Sequence, residues 1–507
     1  LKITFNKNKT MIDYSNTNQV LTLDPPNTAP MRQLAHQMVD DMFDYVSNLR
    51  QQPVWQPVPE TTKQLAQESL PLKGQPAELV YESFKQHIMP YAMKTVHPRF
   101  WAYAGGSGSY LAMMADMLAA GLNANVTNGD HASMYIDHQV VEWSKEMLGF
   151  PKTGGGMLVS GCSIANITAL IVARNAFNKN IRSEGVVPKL IVYTSQETHC
   201  SIQKAVEIIG IGSAGLRIIP TNKDFQIDMN ALKLQIAIDK KEGYSPFCIV
   251  GTVGTVSTGA IDPLDELAAL CKKENYWFHI DGAFGALAKL APTYQTPLKA
   301  IELADSVAFD FHKWMYIPYE VGCILFKNKE LQRNSFTVAP PYLLAHERGL
   351  ASGPEGLTNY GIELSRGFKA LKVWMSLKEH GIEKFSQLIQ QNINHILYLE
   401  TLVHQTPELE MLAPVTLNIA CFRYKPLNHD LSVAALNHLN KEILMQLHEQ
   451  GLALPSYTFL EGNYAIRVAN LNHRSTAADF EALVADTVRL GAKIVQKISQ
   501  KQTEIVI

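Results

Sequence analysis

Two residues in this sequence carry side chains that would do chemistry together, Asp281 and Lys313. Each follows a short apolar run that reads as a buried strand. Tyr276-Trp-Phe-His-Ile280 ends at Asp281 and leads into Gly282-Ala283-Phe284-Gly285, while Asp305-Ser-Val-Ala-Phe-Asp-Phe311 ends just before His312-Lys313-Trp314. A lysine amine forms a Schiff base with an aldehyde, and an aspartate holds a pyridine nitrogen protonated. Delivered at the carboxyl ends of two strands, the pair suits pyridoxal phosphate, whose protonated ring is an electron sink. Either residue alone would pass for a surface lysine or a helix cap; the argument needs both.

Three further segments supply groups of the right type. Met157-Leu-Val-Ser-Gly-Cys-Ser-Ile-Ala-Asn166 places a small-residue turn ahead of an apolar helix predicted over 163–177. The free N–H groups and dipole of such a helix start attract phosphate, and Ser163 adds a hydroxyl. Ser163 as a plain helix cap is the competing explanation. Thr198-His199-Cys200-Ser201 follows a strand and opens a helix, so His199 is placed to stack on an aromatic ring, or to be an ordinary surface histidine. Gly251-Thr252-Val-Gly-Thr-Val-Ser-Thr-Gly259 is a strand-end loop rich in hydroxyls.

The elements that must hold these residues are short β-rich runs alternating with helices. Strands are predicted at 189–195, 247–252, 276–280, 306–311 and 321–326, with helices at 200–209, 227–240 and 263–274 between them. That alternation predicts a mostly parallel sheet covered on both faces, with ligands bound outside the carboxyl ends of its strands. Ahead of it, helices over 31–49 and 78–93 flank a proline-rich stretch, Pro53 to Pro59. They form an amino-terminal arm whose apolar stripe needs a second surface, such as a partner subunit. Past 380, helices at 381–402, 431–450 and 476–498 enclose β-like runs at 416–424 and 464–469. The expected organisation is an arm at 1–95, a large domain at 96–380 and a small α+β domain at 381–507.

Composition narrows the function classes. The chain has 507 residues, with 45 basic against 47 acidic side chains and 46% hydrophobic residues. This describes a soluble globular protein, without the basic tracts of a nucleic-acid or membrane-surface binder. No apolar stretch is long enough to span a membrane, and the first residues lack the apolar core of a secretory signal. Six cysteines without close spacing predict reduced thiols, hence a cytoplasmic protein, and no metal site is expected.

Taken in order, His97-Pro-Arg-Phe-Trp101, Gly161-Cys-Ser-Ile-Ala-Asn166, Thr198-His199, Gly251-Thr-Val-Gly-Thr255, His279-Ile-Asp-Gly-Ala283, His312-Lys-Trp314 and Arg467-Val-Ala-Asn-Leu-Asn-His-Arg474 resemble the group II pyridoxal phosphate-dependent amino acid decarboxylases. This resemblance, over about 95–475, implies an α/β fold of fold-type I, a homodimer with active sites at the subunit interface, and conversion of an L-amino acid to its amine and carbon dioxide. It implies that Lys313 is the Schiff-base lysine, that Asp281 pairs with the pyridinium, and that His199 and Ala283 pack on the two ring faces. Cys162, Ser163, Thr252, Asp310 and His312 match positions around the cofactor. Phe100, Trp101 and Tyr103 are candidates for a pocket that takes an aromatic or bulky side chain. The segment 343–358 suits a lid. The place of the family's proton-donating tyrosine, counted back from Leu364-Ser-Arg366-Gly-Phe368, falls on Leu357. That leaves His346 as the favoured donor, with Tyr342 and Tyr360 as substitutes, and opens aldehyde formation as an alternative outcome. A regulator that binds the cofactor without turnover is the other alternative.

Overall fold

The computed structural model describes residues 22–338 and 346–505. They fall into two compact units, one made of the chain up to Asn48 with Pro59–Pro90, the other of Leu49–Val58 with everything from Tyr91 onward. In the first unit the helix Ala29–Ser47 and the helix Ala77–Ser83 are joined by the Tyr81 hydroxyl, which donates to Asp41 Oδ2 at 2.7 Å. The predicted helix over 78–93 is shorter: after Ser83 it loosens into a π turn, Phe84–Ile88, and a 3-10 turn, Met89–Tyr91. Pro90 stands in that last turn, and proline supplies no N–H to continue the helical ladder.

Twelve strands build two sheets in the second unit: β1 Phe100–Trp101, β2 Gly155–Val159, β3 Leu190–Ser195, β4 Leu216–Ile219, β5 Ser245–Thr252, β6 Trp277–Asp281, β7 Ser306–Asp310, β8 Gly322–Phe326, β9 Leu409–Met411, β10 Ile419–Tyr424, β11 Leu454–Leu460 and β12 Asn463–Ala469. The larger sheet has the order β2-β8-β7-β6-β5-β3-β4. Its pairs from β4 through β7 are parallel, and β8 runs antiparallel to both β2 and β7. The central strands are covered by helices on both faces, so β3 and β7 are buried along their whole length and mostly apolar. The predicted strands and crossover helices stand close to where periodicity put them. β2 and β4 were not foreseen. β2 is masked by Gly155 and Gly156, and β4 is only four residues long.

The smaller sheet has the order β1-β11-β12-β10-β9. β1 therefore joins a sheet otherwise made from the carboxyl-terminal third, pairing Phe100 with Leu454 and Trp101 with Pro455 in parallel. The stretch Leu49–Val58, expected as part of the arm, is tied here as well. Val54 N donates to Gly451 O, Lys94 Nζ to Pro53 O, and Arg50 to Asp479. The boundary expected at 380 lies inside one helical stretch, Ala370–Gln405, broken at Gly381 (φ 68°, ψ 160°). Only glycine adopts such a conformation cheaply.

Asp479 is the anchor of this region. Its side chain is 1% exposed and meets Arg50 Nη1 at 2.9 Å and Arg99 Nε at 3.0 Å, while Thr476 N–H donates to it at 2.8 Å. Burial raises the carboxyl, but the donors from Arg50, Thr476 and Arg99 outweigh it and hold the group below its ordinary value. Asp479→Ala is expected to cost roughly 2 kcal/mol, the scale of hydrogen bonds to a charged group, because Arg50 and Arg99 stay partly in water when it is removed. Because the folded pKa is depressed, this contribution is present above about pH 4 and is lost as pH falls through the folded value. Denaturant titrations of both proteins at neutral and acid pH check this; the gap between them should shrink in acid.

Candidate active site

The residues singled out by sequence converge on the carboxyl ends of β5, β6 and β7. β6 ends on Asp281 and β7 on Asp310. The short helix Phe311–Trp314 then turns Lys313 back over the strand ends. Lys313 Nζ lies 3.2 Å from Asp310 Oδ2, and His312 Nε2 lies 3.6 Å from the same oxygen. The other Asp310 oxygen accepts from Cys162 N–H at 2.8 Å, which locks the start of the helix Cys162–Phe177 against β7. Asp281 Oδ2 accepts from Asn166 Nδ2 at 2.9 Å, and its Oδ1 accepts from Ala283 N–H at 3.2 Å. Lys313, Asp281, Asp310, His312, His199, Cys162, Ser163, Thr252 and Ala283 all line one cavity of about 1140 Å³.

Electrostatics in this cavity follow from burial. Loss of water pushes the Asp281 carboxyl above its ordinary value, and the Lys313 ammonium, the Asn166 amide, His199 and the Ala283 N–H offset only part of that rise. Burial alone would lower the Lys313 amine, but Asp310 and Asp281 more than offset it and the group stays above the ordinary lysine value. His199 and His312 are both lowered, chiefly by burial. At the strand ends the Lys313 ammonium thus faces the Asp281 and Asp310 side chains, with the His199 and His312 imidazoles favoured in the neutral form; Arg467, Lys441, Glu449 and His448 line other parts of the cavity. Thr252 Oγ1 is buried there with no hydrogen-bond partner among the described residues. A donor-rich wall with an orphaned hydroxyl, a lysine amine and a carboxylate fits a pyridine aldehyde phosphate.

Not every expected residue is brought to the cavity. Tyr103 lines it, but Trp101 is fully buried, stacked on Phe480 with centroids 4.8 Å apart and donating from Nε1 to Ser475 Oγ at 3.2 Å. Phe100 packs with Val54, Ala102 and Leu454. The two aromatics belong to the core of the smaller sheet because β1 inserts them there. Leu357, read as a lid position, is 1% exposed in the main core, its N–H donating to Thr127 O. It is not among the residues that line the cavity around Lys313. His346 is exposed in a turn closed by its N–H to Ala351 O, away from the cavity wall. The Tyr360 hydroxyl is taken by Glu355 Oε2 at 2.6 Å. Tyr342 and residues 343–345 lie outside the described residues.

Sequence reasoning missed several wall residues. Arg467 of β12 is 4% exposed; its Nε donates to Ser257 O at 3.2 Å and its Nη1 to Tyr103 O at 3.0 Å. No carboxylate pairs with it among the described residues. Tyr319 lines the cavity with its ring 4.7 Å from that of His312. Asn166 was visible only as the end of a motif, although it stands one helical turn beyond Cys162 and Ser163 and shares their face.

Comparison with known proteins agrees with this geometry. A family model, the pyridoxal-dependent decarboxylase conserved domain, matches residues 59–425. The chain is 35% identical over 456 residues to an aromatic-L-amino-acid decarboxylase of Bacillus atrophaeus, covering 89% of this chain and 93% of that one. It is 31% identical over 467 residues to a phenylacetaldehyde synthase of Petunia hybrida, covering 88% and 90%. Among solved structures, a Catharanthus roseus tryptophan decarboxylase in complex with L-tryptophan superposes with a TM-score of 0.83 at 26% identity, covering 93% of this chain and 99% of that one.

The thiols give a direct check on the site's burial. Cys200 is exposed next to His199, whereas Cys162, Cys248, Cys271, Cys323 and Cys421 are buried with their thiols pushed up by desolvation. Only Cys200 should react with iodoacetamide in the folded protein. Peptide mapping by mass spectrometry after brief alkylation reads this out; early labelling of Cys162 would show an open cavity floor.

Proposed function

The chain belongs to the pyridoxal-dependent decarboxylase family and is a carboxy-lyase acting on an amino acid with pyridoxal phosphate; from that premise we propose that its cavity decarboxylates an aromatic L-amino acid to the amine. The observation that carries the reading is the meeting of Lys313, Asp281 and an uncompensated Arg467 in one cavity. Pyridoxal phosphate, when bound, supplies an aldehyde that captures the substrate's amino group and a protonated ring that takes up the electron pair left on Cα as carbon dioxide departs.

Each residue then has a physical task. Lys313 Nζ is the amine that would hold the cofactor's aldehyde, and Asp281 the carboxyl that would keep a proton on its ring nitrogen through a charge-assisted hydrogen bond. His199 and Ala283 would pack on the ring, and Cys162, Ser163, Thr252, Asp310 and His312 would contact the rest of the cofactor. Arg467, buried and free of any protein carboxylate among the described residues, attracts the substrate carboxylate and orients the bond to be broken. Exclusion of water by these walls disfavours the carboxylate relative to neutral carbon dioxide. Tyr103, Phe284 and Tyr319 give the wall aromatic surface for a ring-bearing side chain. The aromatic-L-amino-acid decarboxylase and tryptophan decarboxylase among the relatives support that choice.

A homodimer is part of this reading. Met117, Leu118 and Leu122 stand exposed on the helix Tyr110–Leu122, an apolar surface that a second copy would cover. Six free thiols suit a reducing compartment such as the cytoplasm. No helix among the described residues is long and apolar enough to cross a membrane.

The test is carbon dioxide release across the common amino acids, with amine and aldehyde quantified separately. Phenylalanine, tyrosine, tryptophan or their hydroxylated forms should turn over best and yield amine. Exclusive turnover of an acidic or basic amino acid would sink the substrate assignment. Borohydride reduction should fix the cofactor on Lys313, and Lys313→Ala should abolish turnover; label on another lysine would overturn the site. Asp281→Ala should slow decarboxylation by roughly two to three orders of magnitude. Arg467→Gln should raise KM about ten- to hundredfold, the worth of a lost charge-assisted contact.

A further inference from the structure

Behind Asp281 runs a buried chain of hydrogen bonds that the reaction does not require as such. Trp277 Nε1 lies 2.8 Å from Ser306 Oγ, Ser306 Oγ 2.9 Å from His279 Nδ1, and His279 Nε2 2.9 Å from Asn166 Oδ1. Asn166 Nδ2 then donates to Asp281 Oδ2 at 2.9 Å and to Ser201 Oγ at 3.1 Å. Ser201 Oγ and Ser201 N–H both approach His199 Nδ1, at 2.9 and 3.2 Å. His279, Asn166 and Ser306 are each fully buried.

The carboxylate end of this chain sets its direction. An indole N–H only donates and an ionised carboxylate only accepts. Ser306 Oγ accepts from Trp277 and can still either accept or donate, so the carboxylate end decides: Asp281 takes the Asn166 NH₂, and Asn166 Oδ1 is left to accept from His279 Nε2, with Nδ1 accepting from Ser306 Oγ. His279 therefore carries its proton on Nε2 and gives it to Asn166 Oδ1. The Asn166 amide then has one permitted orientation, NH₂ toward Asp281, because the flipped amide would face oxygen to carboxylate and leave the His279 N–H against an NH₂. Burial supports the neutral imidazole, lowering His279 to about 3. On the branch, Ser201 Oγ is occupied by an Asn166 proton and turns its own toward His199 Nδ1, which the Ser201 N–H also requires to be an acceptor. The Nε2–H of His199 is left facing the cavity, with only the Cys200 sulfur, at 3.9 Å, beside it.

We propose that Asn166 is a positioning residue: oriented by His279, its amide holds Asp281 as the carboxylate that grips the ring nitrogen and, through Ser201, holds His199 as the Nε2–H tautomer. This rests on the cofactor site described above. The groups that face Asp281 are Asn166, His199, Lys313 and the Ala283 N–H; those that act on His199 are Asp281, Lys313, Asp310 and Lys204. Of these, Asn166 alone donates from an uncharged side chain, so removing it changes the field at Asp281 without adding or deleting a charge.

Two measurements test this. In the unsubstituted protein with ¹⁵N-labelled histidines, with and without pyridoxal phosphate, His279 and His199 should both show the Nε2–H pattern and stay neutral between about pH 6 and 8. Assignment uses the His279→Gln and His199→Gln spectra. A proton on His279 Nδ1, directed at Ser306 instead, reverses the chain and overturns the proposal. The second measurement is the dissociation constant of pyridoxal phosphate for the apoprotein as a function of pH. Asn166→Ala should weaken it about ten- to hundredfold. It should also move the acid limb to higher pH, because Asp281 without its donor takes up a proton more readily. His279→Gln keeps an N–H toward Asn166 and should bind nearly as the unsubstituted protein does. His279→Phe fills the ring's place without a donor and should behave like Asn166→Ala. An unchanged acid limb in Asn166→Ala, or equal behaviour of the two His279 variants, overturns the proposal while leaving the cofactor site intact. Failure of the unsubstituted apoprotein to take up pyridoxal phosphate on Lys313 overturns both.

Discussion

The constraint on which this structure turns is a pair of carboxyl groups held out of water at the ends of two adjacent strands. Asp281 and Asp310 are both at most 3% exposed, and Lys313 is the one ammonium beside them. Two carboxyl groups beside a single lysine amine form an arrangement that burial alone disfavours. It is retained because hydrogen-bond donors are aimed at each oxygen: Cys162 N–H and Lys313 at Asp310, Asn166 and the Ala283 N–H at Asp281. In the proposed assignment a protonated ring nitrogen at Asp281 would complete the neutralisation. The site is poised for a cation before the cofactor comes, and the family's chemistry depends on that cation staying protonated.

Close backbone approach is what allows so many donors into so small a volume. β8 runs antiparallel beside β7, and Gly322 on it faces Gly161 at the start of the helix Cys162–Phe177. A Cβ on Gly322 would strike the Gly161 backbone at 2.7 Å and displace the turn that brings Cys162 N–H to Asp310. The helix that carries Asn166 is thus set by the same contact that satisfies Asp310. Helix position, strand register and charge compensation are one problem with a shared solution, which ties the segment Gly161–Asn166 to Asp281 and Asp310.

The sequence made the parallel core legible because its strands are short, mostly apolar and bounded by helices of crossover length. Lys313, Asp281, His199 and Thr252 were legible for a related reason, since in such a sheet the ends of strands are where ligands go. What stayed hidden depended on partners far apart in the chain. Phe100 and Trp101 look like pocket residues beside Tyr103, but pairing with Leu454 and Pro455 turns them into core. Leu357 follows a glycine- and proline-rich stretch and reads as lid, yet it packs under Thr127. His279 and Ser306 look like polar interruptions of buried strands; only the adjacency of β6 and β7, with Asn166 above them, shows that each has a partner.

One side chain of the smaller sheet reaches the loop after β5, and in the proposed reading it is the one that would bind the substrate carboxylate. Arg467 lies on β12 of the smaller sheet, and its guanidinium bonds to Ser257 O in the loop after β5 and to Tyr103 O just beyond β1. A buried guanidinium without a counter-ion is costly, and its lowered pKa reflects the lost water. An incoming carboxylate repays that cost by pairing with it. Binding the group that is to be lost therefore tightens the junction between the smaller sheet and the cofactor loop of the larger one. An amine product, having no carboxylate, leaves Arg467 uncompensated again, so the same charge that recruits the substrate favours release of what it becomes.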